Sequence, residues 1–173
     1  RVVPDTYYDS IYLQNYFELK NQRSSSNWST LGPIDWDHDA ASRSYAPGSA
    51  HVYTVEQSIS DENIIYAGTA NAGVWKSTDR GVTWSPKTND FLTGGVTSIE
   101  INPTNANIVY AELLSNIYKS SNGGNSWQPT GDGSFMALTF ATRDIRCKPD
   151  QPTTVFAATE DGLFRTTNSG TTW

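Results

Sequence analysis

Three aspartates alternate along the segment DWDHDAASRSYAPG. Carboxylate oxygens carried on one loop are the hard ligands that Ca2+ prefers, so Asp35, Asp37 and Asp39 form a candidate calcium site. The segment departs from an EF-hand loop, because Ala40 replaces the turn glycine and Ala46 replaces the bidentate glutamate. Calcium is the only cofactor that the sequence suggests, and a solvated or ligand-facing loop is the alternative.

Other kinds of chemistry and several classes of partner are disfavoured by the sequence. It contains no Gly-x-Ser-x-Gly nucleophile motif and no phosphate-binding loop. The 173 residues carry a formal net charge of −6 without a run of Lys or Arg, which argues against nucleic acid and anionic membrane surfaces as partners. No apolar run approaches the roughly 20 residues that span a bilayer. The single cysteine excludes an internal disulfide framework.

A polar, glycine-containing turn that closes on tryptophan occurs three times. The copies read WKSTDRGVTW, YKSSNGGNSW and FRTTNSGTTW, and they bring Ser77, Ser120 and Thr166 into register about 45 residues apart. Upstream, IIYAG, IVYAE and TVFAA occupy equivalent places. Each unit reads as four short β-strands, which is the period of a β-propeller blade. We therefore predict an all-β fold in which the chain supplies about three four-stranded blades of a larger ring.

The physical chemistry of the turn explains its repetition. Glycine at Gly81, Gly124 and Gly170 allows a positive φ, and the Asp or Asn two residues earlier can bond backbone N–H groups of the turn. We expect each tryptophan to fold beneath its own hairpin and to bury on the order of 200 Å2. In the same alignment Cys147 stands where Ile101 stands, which predicts that the thiol is buried.

These turns resemble the Asp-box, Ser-x-Asp-x-Gly-x-Thr-Trp, which is also called the bacterial neuraminidase (BNR) repeat and occurs in β-propellers. The segment DENIIYAGTANAGVWKSTDRGVTW is similar to the first blade of sortilin-like bacterial propellers. The resemblance implies a structural role for the residues that match the motif: Ser77, Asp79, Gly81, Thr83, Trp84, Ser120, Asn122, Gly124, Ser126, Trp127, Thr166, Asn168, Gly170, Thr172 and Trp173. It also implies a secreted or cell-surface repeat protein, of the kind that Bacteroidetes export by type IX secretion.

Proteins with this resemblance include xyloglucan-degrading glycoside hydrolases and sialidases. Xyloglucanase-like proteins place a catalytic Asp after the Tyr-Ala-x-Thr strand of an early blade, where this chain has Ala70. Glu160 follows the equivalent strand of the third repeat, but one carboxylate is not the pair that glycoside hydrolysis requires. The Arg-Ile-Pro signature of sialidases is missing. No catalytic residue is assigned, and a glycoside hydrolase whose acids lie partly outside this chain is the alternative function.

The loops TANAG, ELLSN and ATEDG recur at one place in each repeat. Loops at equivalent places should cluster on one face, where they can vary over a rigid scaffold and bind a ligand. This candidate ligand face carries Asn71, Glu112, Asn116, Glu160 and Asp161. The sequence thus predicts a binding module for a protein or a polysaccharide.

The predicted domains are an irregular or helical N-terminal extension with its linker at 1–27 and a partial propeller at 28–173. The repeats lie near 52–95, 96–141 and 142–173. About three blades do not close a ring, so we expect the remaining blades from the same longer chain or from another subunit.

Overall fold

The structure is a computed structural model that describes residues 51–88, 95–131 and 142–173, all within one compact unit. These residues contain eleven strands and no helix, and the strands form three separate sheets. The predicted all-β class built from propeller-type blades is confirmed. The predicted extension at 1–27 lies outside the described residues.

Each sheet is a meander of antiparallel strands in chain order. The first sheet contains β1 (Val52–Gln57), β2 (Ile65–Thr69), β3 (Val74–Ser77) and β4 (Ser85–Pro86). The second contains β5 (Ile99–Ile101), β6 (Val109–Leu113), β7 (Asn116–Ser120) and β8 (Gln128–Pro129). The third contains β9 (Thr142–Lys148), β10 (Gln151–Thr159) and β11 (Gly162–Thr166).

Two apolar clusters join the sheets and form the core. The cluster between the first and second sheets consists of Tyr66, Val74, Val96, Ile99, Ile101, Val109, Ala111, Leu113 and Trp127. The cluster between the second and third sheets consists of Tyr110, Ile117, Ile145, Cys147, Val155 and Ala157. The predicted burial of Cys147 is confirmed, and loss of solvent raises the pKa of its thiol to about 12.

The second sheet is covered on both faces, because successive residues of a strand point to opposite sides. Val109 and Ala111 belong to the cluster shared with the first sheet, whereas Tyr110 belongs to the cluster shared with the third. Every residue of β6 is consequently buried. This double burial explains why the strand reads as a nearly continuous apolar run and not as an alternation.

At Gly68, the backbone of β2 lies close to Val96, in the segment that leads into the second sheet. A Cβ atom there would lie 2.7 Å from Val96 O and 2.7 Å from Thr54 Cγ2. The same approach allows Val96 N to donate to Thr69 O at 2.9 Å. Glycine is therefore required because any side chain would separate the segment that enters the second sheet from the first.

Candidate functional site

The first polar turn (Ser77–Trp84) is closed by its own side chains. Ser77 Oγ accepts hydrogen bonds from Gly81 N at 2.7 Å and Asp79 N at 3.2 Å. The Asp79 carboxylate accepts from Thr83 N at 2.8 Å and from Thr83 Oγ1 at 2.6 Å. These bonds occupy the polar atoms that the motif places in the turn.

The second turn (Ser120–Trp127) keeps the same geometry with an amide in place of the carboxylate. Ser120 Oγ accepts from Gly124 N at 2.8 Å, and Asn122 Oδ1 accepts from Ser126 N at 2.9 Å. Asn122 Nδ2 donates to Ser126 Oγ at 2.9 Å, so the side-chain bond reverses its direction relative to the first turn. An amide therefore substitutes for aspartate without leaving an atom unpaired.

The third turn (Thr166–Trp173) repeats the amide version. Thr166 Oγ1 accepts from Gly170 N at 3.0 Å, and Asn168 Oδ1 accepts from Thr172 N at 3.0 Å. Asn168 Nδ2 donates to Thr172 Oγ1 at 3.0 Å.

Replacing Asp79 with asparagine should preserve the first turn but change its response to acid. Hydrogen bonds lower the pKa of the Asp79 carboxyl below its usual value. The largest contribution comes from the Thr83 hydroxyl, followed by the Thr83 backbone N–H and the Ser77 hydroxyl. A carboxyl with a lowered folded pKa stabilises the protein above its unfolded pKa, and this contribution is lost as the pH falls through the folded value. Unfolding midpoints measured between about pH 5 and pH 2 should therefore fall less steeply for Asp79→Asn than for the parent. Identical pH profiles would contradict this assignment.

The tryptophans that close the turns reach further than the sequence predicts. Trp84 Nε1 donates to Gly81 O within its own turn, at 3.0 Å. Trp127 Nε1 instead donates to Lys87 O, next to the first sheet, at 3.0 Å. Trp173 also donates across a junction, but to a side-chain hydroxyl and not to a backbone carbonyl. The indole N–H groups of Trp127 and Trp173 thus link neighbouring sheets, whereas that of Trp84 closes its own turn.

At the junction of the second and third sheets, Trp173 Nε1 donates to Thr130 Oγ1 at 3.1 Å. A polar cleft of about 400 Å3 lies beside this contact, lined in part by Gln128 and Thr171. At the preceding junction the place of Thr130 is taken by Lys87, whose Nζ donates to Asn125 Oδ1 at 3.1 Å. Threonine is shorter than lysine. The space that the Lys87 side chain fills at the first junction is therefore left open beside Thr130 at the second.

Glu112 does not belong to an exposed ligand face, which corrects the sequence prediction. It is 4% exposed, and its Oε2 accepts from both N and Oγ1 of Thr97 at 3.2 Å. Its Oε1 accepts from Ser115 N at 3.1 Å. Burial raises the pKa of the Glu112 carboxyl, and the Thr97 hydrogen bonds oppose that rise. The carboxylate fixes the β6–β7 hairpin from inside the sheet.

The β6–β7 hairpin places Asn116 at the start of β7, half-buried. Asn116 Nδ2 donates to Leu114 O at 3.2 Å, and among the described residues its buried Oδ1 has no hydrogen-bond partner. Leu114 and Ser115 form the two-residue turn with φ of 53° and 62°. Leu114 is 46% exposed at the tip, so the hairpin presents an apolar side chain to solvent.

The loops of the first and third sheets carry the remaining predicted residues. Asn71, Glu160 and Asp161 are all exposed. Glu160 is paired with Arg143. Arg143 follows Thr142, whose carbonyl accepts from Thr97 Oγ1 at 2.7 Å, and Thr97 N donates to Glu112. A ligand face shared by these loops stays a prediction.

Metal ligands are not gathered in the described part of the chain. Residues 51–88, 95–131 and 142–173 contain no group of three or more His, Cys, Asp or Glu side chains that could hold an ion. The calcium prediction for Asp35, Asp37 and Asp39 lies outside these residues and stays a prediction.

The sequence did not predict the polar contacts that join β5, with the preceding Ser98, to β9. Glu100 Oε1 accepts from Cys147 N at 2.8 Å and Oε2 accepts from Arg146 Nη1 at 3.1 Å. Ser98 Oγ accepts from Ile145 N at 2.9 Å. The alternation of Ser and Glu with isoleucine in SIEI was the available signal for a polar second face. That this face is covered, with Ser98 and Glu100 buried, is known only from the structure.

Comparison with known proteins places this architecture among β-propellers. No protein-family model matches the chain. A xyloglucanase of Hypocrea jecorina (strain QM6a) is 29% identical over 145 residues, which is 84% of this chain and 16% of the xyloglucanase. The chain therefore spans about a sixth of that relative. Its similarity to solved structures concerns the fold alone.

Two solved structures illustrate the similarity of fold. An ancestral GH74 enzyme superposes with a TM-score of 0.59 at 21% identity, over 71% of this chain and 18% of the enzyme. The structure of YCF48 bound to D1 peptide superposes with a TM-score of 0.57 at 20% identity, over 72% of this chain and 40% of YCF48. The described sheets are blades of a β-propeller. Within the described ranges no helix has the length and apolar character needed to cross a bilayer.

Proposed function

We propose that the chain forms part of a secreted or cell-surface Asp-box propeller that recognises a xyloglucan-type polysaccharide. The alignment with a xyloglucanase, 29% identical across 84% of this chain, carries the proposal. The recognition surface comprises Asn71, the tip Leu114–Asn116, and the turn Glu160–Asp161. Exposed amide, carboxylate and apolar groups on these loops suit the hydroxyls and C–H faces of a glycan.

Recognition without hydrolysis is the role assigned to these residues. Ala70 occupies the place of the expected catalytic acid, and Glu160 is held in an ion pair by Arg143. Glu112 is buried, with both oxygens bonded to the protein. A glycosidase needs two carboxyl groups across a cleft, so a hydrolase that contains this chain would take its acids from elsewhere.

We propose a structural role for the Asp-box turns. We also propose that the protein is exported. The internal hydrogen bonds of the three turns support a structural role, since they leave few motif atoms free for a ligand. Sortilin-like character, a Bacteroidetes-type source and type IX secretion rest on the sequence resemblance. The remaining blades come from a longer chain or from another subunit.

Electrophoresis in native gels containing xyloglucan tests the proposed ligand. The parent should be retarded, and Asn71→Ala with Asp161→Ala should weaken the retardation about fivefold, the effect of losing about 1 kcal/mol of hydrogen bonding. Thr78→Ala is the matched control, because Thr78 is exposed in the first turn. Absence of retardation would overturn the polysaccharide proposal and favour a protein ligand. Release of reducing sugar by the parent would overturn the assignment of binding alone.

A further inference from the structure

The cleft at the junction of the second and third sheets contains none of the residues assigned to glycan recognition. Side chains of the second turn, of β8 and of the third turn line it, and its volume is about 400 Å3. Sites for small ligands have volumes of roughly 300–1,000 Å3, so the cleft has the size of a binding site. We call it the turn cleft and define it by Lys119, Gln128, Pro129, Thr130 and Thr171.

The first junction shows the same space filled by the protein itself. Lys87 stands where Thr130 stands, and the backbone N–H groups of both residues donate to the third strand of their sheets. A Cβ atom at Gly124 would lie 3.1 Å from Lys87 Cγ, so the lysine stem passes over the turn glycine. Its Nζ then donates to Asn125 Oδ1 at 3.1 Å. The turn cleft is therefore open because a short side chain replaces one that reaches across the junction.

The turn cleft carries a positive charge. Lys119 Nζ donates to Ser169 O, on the wall of the cleft, at 3.3 Å. It also lies 5.8 Å from the ring centre of Tyr110. An ammonium has three N–H donors, and among the described residues Ser169 O is its one hydrogen-bond acceptor. None of the described residues that line the cleft is acidic, so the charge is left for a ligand to neutralise.

An amine is a poor ligand for the turn cleft, although a lysine fills the equivalent space. Lys76 is the counterpart of Lys119, and its pKa is lowered first by burial and then by the charge of Lys87. A cationic ligand in the turn cleft would meet Lys119 in the same way. The amide of Asn125, which receives the Lys87 ammonium, is replaced by Thr171, whose hydroxyl already donates within its own turn. The cleft therefore favours an anion.

We propose that the turn cleft binds a uronate unit of an acidic glycan. The sugar carboxylate accepts hydrogen bonds from Lys119 Nζ, and such charged bonds are the stronger ones. The exposed Gln128 amide and the exposed Thr171 hydroxyl suit the ring hydroxyls, and Pro129 offers an apolar surface to the C–H face of the ring. An acidic amino-acid side chain would use the carboxylate contact alone, so the polar lining favours a sugar. This site is separate from the proposed xyloglucan surface and does not rest on it.

Titration with digalacturonic acid tests the proposal. Binding to the isotope-labelled chain should shift the backbone amides of Gln128 and Thr171. Galactobiose, the neutral counterpart, should bind about tenfold or more weakly, because it lacks the group that pairs with the ammonium. Added salt should weaken the acidic ligand, since the Lys119 side chain is only half-buried. Equal affinities for the two disaccharides, or shifts that leave Gln128 and Thr171 unchanged, would overturn the proposal.

Three variants assign the binding to the cleft. Thr130→Lys combined with Thr171→Asn recreates the first junction, so it should fill the cleft and abolish binding while the fold is kept. Lys119→Met should weaken binding about tenfold or more. Lys76→Met is the matched control, because it removes the equivalent lysine at the first junction and should leave the dissociation constant unchanged.

Thermal unfolding midpoints accompany each titration, so a loss of fold is recognised as such. Undiminished binding by the Thr130→Lys, Thr171→Asn variant would overturn the proposal even if Lys119→Met fails to fold. Tighter binding of a short aspartate-containing peptide than of digalacturonic acid would overturn it in favour of a protein ligand. Xyloglucan is neutral and is measured at the loops, so its failure to bind leaves this result readable.

Discussion

Replacing Trp127 with alanine should lower the free energy of unfolding by about 3–5 kcal/mol, the range for removing a large aromatic side chain from a core. Trp127 is 4% exposed and belongs to the cluster between the first and second sheets. The change also removes the donor to Lys87 O, so a carbonyl loses its partner. Because small domains are stable by only about 5–15 kcal/mol, a large part of the total stability should disappear. Urea unfolding followed by fluorescence measures the loss.

Two variants separate the inter-sheet role of Trp127 from the general effect of losing an indole. Trp84→Ala removes the corresponding side chain of the first turn, which is half-buried and bonds to Gly81 O, and it should cost about 1–2 kcal/mol. Trp127→Phe keeps most of the apolar contact without the donor and should be intermediate. Equal losses for the two alanine variants would contradict the inter-sheet role.

Replacing Glu112 with glutamine should cost about 1–3 kcal/mol, the penalty for leaving a buried donor unpaired. One carboxylate oxygen serves Thr97 and the other serves Ser115 N. An amide supplies only one oxygen, so its NH2 group must face one of these donors. Thermal unfolding of the variant measures the effect, with the parent as reference.

The difference in stability between the parent and Glu112→Gln should depend on pH, and the direction of the change can be predicted. Burial raises the pKa of Glu112, and a carboxyl with a raised folded pKa costs stability when ionised. The parent should therefore gain stability relative to Glu112→Gln as the pH falls from neutral through the raised pKa. Glu160→Gln is the control, since an exposed ion pair contributes about 0–1 kcal/mol. Equal destabilisation by the two substitutions would show that Glu112 is not buried as described.

The repeat made the sheets and turns predictable from the sequence. Each turn is a local structure, since Ser77, Asp79 and Thr83 bond to one another within a few residues. The pattern of these residue types therefore determines the hydrogen bonds without knowledge of the rest of the fold. The blade architecture followed from the spacing of three such turns.

The position of Glu112 could not be predicted, because it depends on where β6 ends. The sequence ELLSN was interpreted as a loop because it recurs at the place of TANAG and ATEDG. Leu114 and Ser115 are unusual residues for a tight turn with positive φ. Both adopt it, so the strand continues to Leu113 and Glu112 lies within the sheet. Contacts between sheets, such as the bond from Trp127 to Lys87 O, were likewise inaccessible because they depend on how blades pack.

Amide chemical shifts test whether the three loops bind a xyloglucan-type glycan. We would titrate isotope-labelled chain with xyloglucan oligosaccharides and follow each backbone amide. If the three loops form the recognition surface, the shifts should be concentrated at Asn71, at Ser115–Asn116 and at Glu160–Asp161. Shifts confined to Gln128 and Thr171, in the cleft between the turns, or no shifts at saturating oligosaccharide, would contradict it.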